Sequence, residues 1–279
     1  MHNNSRENLS MRKLISGFLI AGLLLTPTKL DAWGFQGHEY IGEMTWNYLT
    51  PEARAWVQER MDIVGEDSLA TMTTWADRVR GTEEGRWMGP LHFANVPPDE
   101  DYFDLERDCP NRRCVVGAAM NDIEVMLDPT RSAEEQARAL RTFTHWITDM
   151  HQPLHMGYQH DRGGNDIRVT FFGSETNLHR LWDTVMIRGM DDMPSPAMQA
   201  QLHSLPEPRD DWHQALVDWA NESSDLARAN AYPNAEDGAA LGERYFRQAR
   251  PVVENQLILS AQRMARIIND AASRSESAQ

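Results

Sequence analysis

Lysine is nearly absent from this chain of 279 residues, since only Lys13 and Lys29 occur and both lie before residue 33. The formal net charge is −15 at pH 7. So acidic a chain offers no basic stripe that would release counterions from a polyanion, which argues against non-specific electrostatic capture of nucleic acid or of an anionic membrane. Bound metal ions could reverse this locally, because they are often the largest charges in a site.

Long apolar runs are absent as well, because a transmembrane helix needs about 20 apolar residues and the longest apolar stretch, residues 14–25, is shorter. This stretch follows Arg12 and Lys13 and leads to Ala32. Positive residues, a short apolar segment and a small residue before the cut are typical of a secretory signal peptide. We therefore expect residues 1–32 to be removed, leaving a secreted or periplasmic protein without a membrane anchor.

Removal of this leader would leave 247 residues (279 − 32), enough for one domain with a substantial core. The leader carries four basic and two acidic residues, so the net charge would move from −15 to −17 (−15 − 4 + 2). We expect residues 33–279 to form a single domain. No feature of the sequence predicts a protein partner, and we expect a monomer.

Cysteine is almost missing too: Cys109 and Cys114 are the only two. In an exported protein this spacing favours a small disulfide loop. The alternative is a pair of metal thiolates, although two cysteines alone cannot complete a zinc site.

Helical signals dominate the sequence. Thr50 precedes a proline, as a capping residue does, and Ser132 with Glu135 has the form of a capping box. Apolar residues follow at helical period from 133 until Pro153, which should end that helix. Further helices are predicted near 37–49, 51–61, 68–80, 116–127, 178–188, 210–230 and 240–272, and loops near 81–114, 157–166, 189–209 and 232–238.

The clearest strand candidate is the β-branched and aromatic segment 167–172, bounded by glycines. The sequence therefore predicts a mainly α fold, a single-domain helical globule with a small β-hairpin.

The densest chemical signal is the segment from His145 to His155. His145 and Asp149 are four residues apart on a predicted helix, so both side chains can face one cation. His155 lies beyond Pro153, where a turn could fold it back. A second pair with the same spacing, His179 and Asp183, lies on another predicted helix, and metal sites in helical bundles are built from such pairs.

One such pair by itself is common by chance and usually marks a surface pair or a core histidine. Two pairs together with His38, Asp77 and His92 are harder to explain in that way. The combination favours a metal site.

The chain resembles the S1/P1 nuclease family, zinc-dependent enzymes that cut single-stranded DNA and RNA and act as 3′-nucleotidases. The resemblance extends over most of the chain after residue 32. It rests on Trp33 and His38, the segment 75–80, Leu91-His92-Phe93, the segment 145–155, Gly163-Gly164-Asn165, the segment 178–183 and the segment 219–223. It implies the helical fold that phospholipase C and P1 nuclease share.

The resemblance also implies three zinc ions held by nine residues. Asp77, His92 and His145 would hold one ion, and Asp149 would bridge it to a second. The second ion would also take His38 and the α-amine and carbonyl oxygen of Trp33. The third ion would be bound by His155, His179 and Asp183.

For function, the resemblance implies phosphodiester hydrolysis that leaves 5′-phosphates, with single-stranded nucleic acid and nucleotides as substrates. The catalytic residues would be Asp77, Asp149 and Arg80, the last near the phosphate. Phe93 would stack on a base and Asn165 would hydrogen-bond its edge. Asn95 departs from the family, whose fungal members tend to have aspartate there; because an amide donates as well as accepts, base preference could differ.

Two other functions need separate consideration. A zinc-dependent phospholipase C shares the fold, but it has glutamate where this chain has Asp183 and differs in ligand spacing. A zinc-binding protein without turnover would have closed metal sites and would need neither Arg80 nor Phe93.

The expected α-amine of Trp33 generates a direct test. An α-amine has a pKa of ~8 and therefore deprotonates more readily than a lysine side chain, whose pKa is ~10. The amide nitrogen of an uncut chain is a poor metal ligand. Protein that keeps residues before Trp33 should bind less zinc and be less active than protein that begins at Trp33, as measured by intact-mass, metal and activity assays on both forms. Full zinc content and activity in the extended form would contradict this prediction.

Overall fold

A computed structural model describes residues 33–190, 193–195, 198, 205, 209 and 211–278. The leader predicted at 1–32 lies outside the described residues, as does most of the loop predicted at 189–209. Within the described part, no helix has the length and apolar character that crossing a membrane requires.

Helices make up most of the described chain, which confirms the predicted fold class. The α-helices are α1 (Gly34–Tyr48), α2 (Pro51–Val64), α3 (Leu69–Thr73), α4 (Trp75–Val79), α5 (Leu105–Asp108), α6 (Val115–Leu127), α7 (Ala133–Met150), α8 (Leu178–Arg180), α9 (Met186–Arg188), α10 (Trp212–Leu226) and α11 (Glu243–Ser277). Short 3₁₀ segments occupy Arg86–His92, Pro110–Arg112 and Pro153–Met156, and π-helical turns occupy Leu181–Val185 and Ala227–Ala231.

The helix starts follow the capping signals. The Thr50 hydroxyl accepts a hydrogen bond from the Ala53 amide at 3.1 Å. Ser132 and Glu135 form the reciprocal capping box, with distances of 3.2 and 3.0 Å between side-chain oxygen and backbone nitrogen. Helix α7 therefore begins where the sequence predicts, and it ends at Met150, shortly before Pro153.

The helix predicted at 68–80 is wrong as a single element, because α3 and α4 meet at Thr74. The hydroxyl of Thr73 donates to the Ala70 carbonyl at 2.6 Å, and that of Thr74 donates to the Thr71 carbonyl at 2.8 Å. Such local side-chain bonds compete with the regular helix ladder. The predicted loop at 81–114 likewise contains short helices, including the 3₁₀ segment that accommodates Pro90.

The β element is a three-stranded sheet in the order β2-β1-β3, formed by β1 (Arg168–Phe171), β2 (Ser174–Asn177) and β3 (Ala239–Leu241). Strands β1 and β2 are the predicted hairpin, with Thr170 opposite Glu175. The two turn residues, Phe172 and Gly173, both have positive φ, as a tight hairpin turn requires. Strand β3 pairs parallel to β1 and was not predicted, since Ala-Ala-Leu carries no strand signal.

Helix α7 is the structural centre of the domain. It packs against α2, α3, α6 and α11, and most of its second half is buried. The Cys109–Cys114 disulfide is present and confirms that prediction. It lies where the chain enters α6, the main neighbour of α7, so the disulfide fixes the start of a helix that supports the centre.

Candidate metal centre

The carboxylate of Asp149, in the last turn of α7, lies between imidazoles from three parts of the chain. Its Oδ2 atom is 3.0 Å from His92 Nδ1 and 3.2 Å from His145 Nε2. Its Oδ1 atom is 3.3 Å from His38 Nε2 on α1. All four side chains are buried. Because both oxygens of Asp149 face imidazoles, this carboxylate has the arrangement that a bridge between two cations requires.

Asp77, in the short helix α4, is the second carboxylate of this centre. Its Oδ1 atom lies 3.8 Å from His92 Nδ1 and 4.0 Å from His145 Nε2. Arg80, one turn later, places Nη1 3.5 Å from the same oxygen. Two groups of side chains that could hold a metal ion result, and they share His145: one is His38, Asp77 and His145, and the other is His92, His145 and Asp149.

A third group consists of His155, His179 and Asp183. Asp183 Oδ1 is 3.6 Å from His155 Nε2, and its Oδ2 is 3.2 Å from His179 Nε2. The 3₁₀ turn after Pro153 folds His155 back toward α7, where its Nδ1 is 3.8 Å from Asp149 Oδ2. Asp183 lies in a π-helical turn, a local widening of the helix that is frequent at functional sites. The three groups therefore form one continuous centre.

Four of the five histidines are anchored through Nδ1. The partners of this atom in His145, His155 and His179 are the backbone carbonyls of Thr73 at 2.6 Å, His92 at 2.5 Å and Gly163 at 2.7 Å. His38 Nδ1 lies 2.6 Å from the Thr148 hydroxyl, which itself donates to the His145 carbonyl. Each anchor accepts a hydrogen bond from Nδ1, so that Nε2 carries the lone pair whenever the imidazole is neutral, the arrangement of a metal-binding imidazole.

Burial keeps the imidazoles of His38 and His92 neutral. Desolvation is the main cause that lowers the pKa of His38 to about 4 and that of His92 to about 3, despite the nearby Asp149 carboxylate. Burial opposes protonation of His155 as well, but the Asp149 and Asp183 carboxylates outweigh it and raise its pKa to about 9. Neutral imidazole is the form that binds a metal.

The charge of Asp149 fits the same account. Burial would raise its pKa, but His145 and His155 overcome this and hold the pKa well below its ordinary value. The Asp149 carboxylate is therefore ionised. A fully buried anion requires compensating positive charge, which either protons on imidazoles or bound cations can supply.

Several buried atoms of the centre make no hydrogen bond within the described residues. They are His38 Nε2, His92 Nε2, His155 Nε2 and Asp149 Oδ1. Buried polar atoms are nearly always satisfied, so such a cluster requires an explanation. The explanation is that these nitrogen and oxygen atoms converge closely enough to share a metal ion. The residues present therefore fit divalent metal ions of the kind that prefer imidazole and carboxylate.

Trp33 lies at the start of α1, one turn before His38, and its side chain is fully buried. Its carbonyl oxygen accepts a hydrogen bond from the Gly37 amide at 3.2 Å. The structure thus holds the predicted chain start in a fixed position beside the helix that carries His38.

The predicted substrate residues meet in one cavity of about 150 Å³, next to three of the histidines; its lining includes Arg80, His92, Phe93, Asn95, His155, Arg162, Asn165 and His179. Phe93 is 44% exposed, which is unusual for a phenylalanine beside a buried centre. Asn165 donates to the Arg162 carbonyl at 2.8 Å, and its Oδ1 atom is buried without a hydrogen-bond partner in the described part of the chain. Asn95 donates to the Gly157 carbonyl at 3.2 Å.

The Gly163-Gly164 turn positions both centre and cavity. Gly163 has a φ of +63°, and a Cβ atom there would lie 2.3 Å from the Leu154 carbonyl oxygen. Only glycine allows this approach, by which the Gly163 carbonyl reaches His179. The turn therefore joins the third metal group to Asn165.

Sequence reasoning missed Gln152. Its side-chain nitrogen donates a short hydrogen bond to Asp183, while its Oε1 accepts from the Leu154 amide at 2.6 Å. Its position inside the segment 145–155, just before Pro153, was the available signal. His151 lies in the same segment but bonds elsewhere: its Nδ1 donates to the Ile147 carbonyl and its Nε2 accepts from Arg263.

Gln152 should therefore determine how tightly the third group binds metal. Loss of a residue that orients a metal ligand typically costs about 10- to 100-fold in metal affinity. We expect Gln152→Leu to lose one metal ion at chelator concentrations that leave the wild type fully loaded, as measured by chelator competition and elemental analysis. The exposed Gln159→Leu serves as control and should match the wild type; equal metal retention in both variants would contradict this role of Gln152.

Comparison with known proteins is consistent with this centre. Residues 33–273 match the family model described as S1/P1 Nuclease. Endonuclease 3 from Arabidopsis thaliana is 30% identical over 275 residues, covering 90% of this chain and 94% of that protein. Nuclease P1 from Penicillium citrinum is 40% identical over 157 residues, covering 55% and 58%. Nuclease S1 from Aspergillus oryzae is 29% identical over 266 residues, covering 84% and 89%.

The family model extends over most of the chain, from Trp33 through every residue of the three groups that could hold a metal ion. With buried His/Asp groups that could bind metal and a match to endonucleases over nearly its whole length, the chain belongs to the S1/P1 nuclease family of phosphodiesterases.

Proposed function

We propose that this protein is a secreted endonuclease that binds three zinc ions and hydrolyses the phosphodiester bonds of single-stranded DNA and RNA. Its products would carry 5′-phosphates, and it would also remove phosphate from 3′-nucleotides. The observation that carries the proposal is the Asp149 carboxylate, which faces imidazoles on both oxygens and lies 3.8 Å from the third metal group.

Nine residues would hold the zinc ions: Trp33, His38, Asp77, His92, His145, Asp149, His155, His179 and Asp183. The donor set supports zinc because it consists of imidazole and carboxylate, with Trp33 contributing backbone atoms. When bound, zinc supplies Lewis acidity and lowers the pKa of water to about 7. In this scheme Asp77 and Asp149 are both ligands and catalytic residues, because their carboxylates would hold the zinc ions in position beside the reacting phosphate.

Arg80 would stabilise the phosphate. Its guanidinium is partly exposed, lies 3.5 Å from the buried Asp77 Oδ1 and lines the cavity that also contains Phe93. A fixed cation there can neutralise negative charge that develops in the transition state. Since the mature chain would contain no lysine, arginine is the one permanently positive side chain that can neutralise this charge.

The cavity would bind one base. Phe93 offers an exposed ring, and stacking on such a ring stabilises a base by ~1 to 3 kcal/mol with little regard to sequence. Asn165 Oδ1 is a buried acceptor without a partner among the described residues, so a base with an N–H group at its edge would satisfy it. The side-chain nitrogen of Asn95 donates to the Gly157 carbonyl, so the side-chain oxygen of Asn95 would be a second acceptor for the base.

Leader cleavage and a monomeric state complete the proposed function. We propose cleavage before Trp33, which would leave a protein in the periplasm or outside the cell and free the α-amine for zinc. We further propose that the protein acts as a monomer, since all nine ligands come from one chain.

The function is tested by digestion and metal analysis of purified protein that begins at Trp33. With zinc it should degrade single-stranded DNA and RNA to fragments with 5′-phosphates, release phosphate from 3′-nucleotides and leave phosphatidylcholine intact. Asp149→Asn should lose more activity than the roughly 10- to 100-fold that removal of an outer ligand partner costs. The exposed Asp62→Asn on α2 should retain full activity.

Two results would contradict the proposal. Hydrolysis of phosphatidylcholine without cleavage of nucleic acid would identify a lipase. Zinc binding with no hydrolysis of any of these substrates, in the wild type and in Asp149→Asn alike, would identify a zinc-binding protein without turnover.

A further inference from the structure

A second cavity lies next to the candidate active site, against the small sheet. Its volume is about 500 Å³, and we call it the sheet groove after the residues that line it, which include Asn165, Arg168, Glu175, Asn177 and Arg180. Asn165 lines both this groove and the cavity of about 150 Å³ at the metal centre. Arg180 directly follows His179, a member of the third metal group. The two cavities are therefore neighbours that share a wall.

Among the described residues, the guanidinium groups of two arginines in the groove have no anionic partner. Arg168, on β1, is exposed and Arg180, in α8, is half-buried. Neither guanidinium forms an ion pair or hydrogen bond within the part of the chain that the structure describes. Many other arginines do, for example Arg112 with Glu124 at 2.7 Å and Arg162 with Asp166 at 3.3 Å. In a chain of net charge −15, two unpaired cations in one groove are available for an anionic ligand.

Glu175 is the carboxylate that lines the same groove. It lies on β2 opposite Thr170 and within ion-pair distance of neither arginine. Its charge would oppose an anion in the groove, so the sign of its effect differs from that of Arg168 and Arg180. This contrast separates an electrostatic role of the groove from a merely structural one.

The two cavities differ in size, so they would hold different parts of a nucleic-acid substrate. Cavities that enclose a drug-sized ligand measure about 300 to 1,000 Å³. The cavity of about 150 Å³ falls below that range and suits one base, whereas the sheet groove of about 500 Å³ can hold a longer segment. Single strands are bound by positively charged grooves that follow the backbone beside a stacking aromatic ring. Phe93 and the two arginines provide these two components.

We propose that the sheet groove binds the phosphodiester backbone of nucleotides that flank the cleaved bond, with Arg168 and Arg180 contacting phosphates. This inference rests on the proposed function and adds a specificity device to it. A strand bound in the groove gains contacts that a mononucleotide in the base cavity cannot make. The groove therefore makes the enzyme prefer polymers over 3′-nucleotides.

Binding is measured first, so that the test does not depend on turnover. The probe is a labelled phosphorothioate oligothymidylate, which resists hydrolysis, bound to zinc-loaded protein at a series of salt concentrations and followed by fluorescence anisotropy. Each lost phosphate contact flattens the log–log dependence of affinity on salt by roughly 0.7 for a single strand. Arg168→Gln with Arg180→Gln should therefore bind more weakly and lower the slope by roughly 1.4.

Matched variants isolate the charge of the groove. Arg168→Gln alone, on an exposed strand position away from the metal ligands, should show about half of the slope change. Glu175→Gln should bind more tightly than the wild type. Arg138→Gln, an exposed arginine of α7 that lines neither cavity, should leave affinity and slope unchanged.

Hydrolysis gives the second readout. In the double variant, kcat/KM should fall several-fold more for a single-stranded oligonucleotide than for a 3′-nucleotide, and Glu175→Gln should shift this ratio in the opposite direction. If the wild type cleaves neither substrate, the proposed function is wrong, but the anisotropy series still tests whether the sheet groove binds phosphates. Wild-type affinity and slope in the double variant, or changes of the same sign in the arginine and glutamate variants, would overturn the inference.

Discussion

The contact between the Asp149 carboxylate and three imidazoles is the constraint around which this domain is arranged. The carboxylate is fully buried, and its two oxygens lie 3.0 to 3.3 Å from nitrogen atoms of His38, His92 and His145. Burying an ionised carboxylate is costly unless charge or hydrogen bonds compensate it. The helices that bring these residues together must therefore be held firmly, because an error in their positions would leave a charge in the core without compensation.

The rest of the structure supplies that rigidity. Helix α7 lies among four packed helices, and the Trp146 ring on the same helix is nearly perpendicular to the rings of His92 and His145, with centroids 5.2 and 5.4 Å away. Backbone carbonyls and the Thr148 hydroxyl fix the other side of four imidazoles. Together with the bond from Gln152 to Asp183, these contacts orient the candidate ligands, which reduces the ordering that metal binding would have to impose.

Local patterns in the sequence predicted much of this. Capping residues placed the starts of α2 and α7, the four-residue spacing paired His145 with Asp149, and the family resemblance brought in Asp77 and His92 from distant segments. Other features depend on tertiary contacts that no local pattern encodes. Strand β3 forms because Ala239–Leu241 lies beside β1, and the break at Thr74 arises from hydroxyl bonds within a helical pattern. Arg168 and Arg180 line one groove only in the folded chain.

We propose that Asp149 bridges a pair of zinc ions and that a third ion binds close by. A crystal structure of the zinc-loaded protein beginning at Trp33, with data collected on both sides of the zinc absorption edge, locates the ions directly. Two anomalous peaks on opposite sides of the Asp149 carboxylate and a third between His155, His179 and Asp183 are the result we predict. A single ion at Asp149, or none, would contradict the bridged centre.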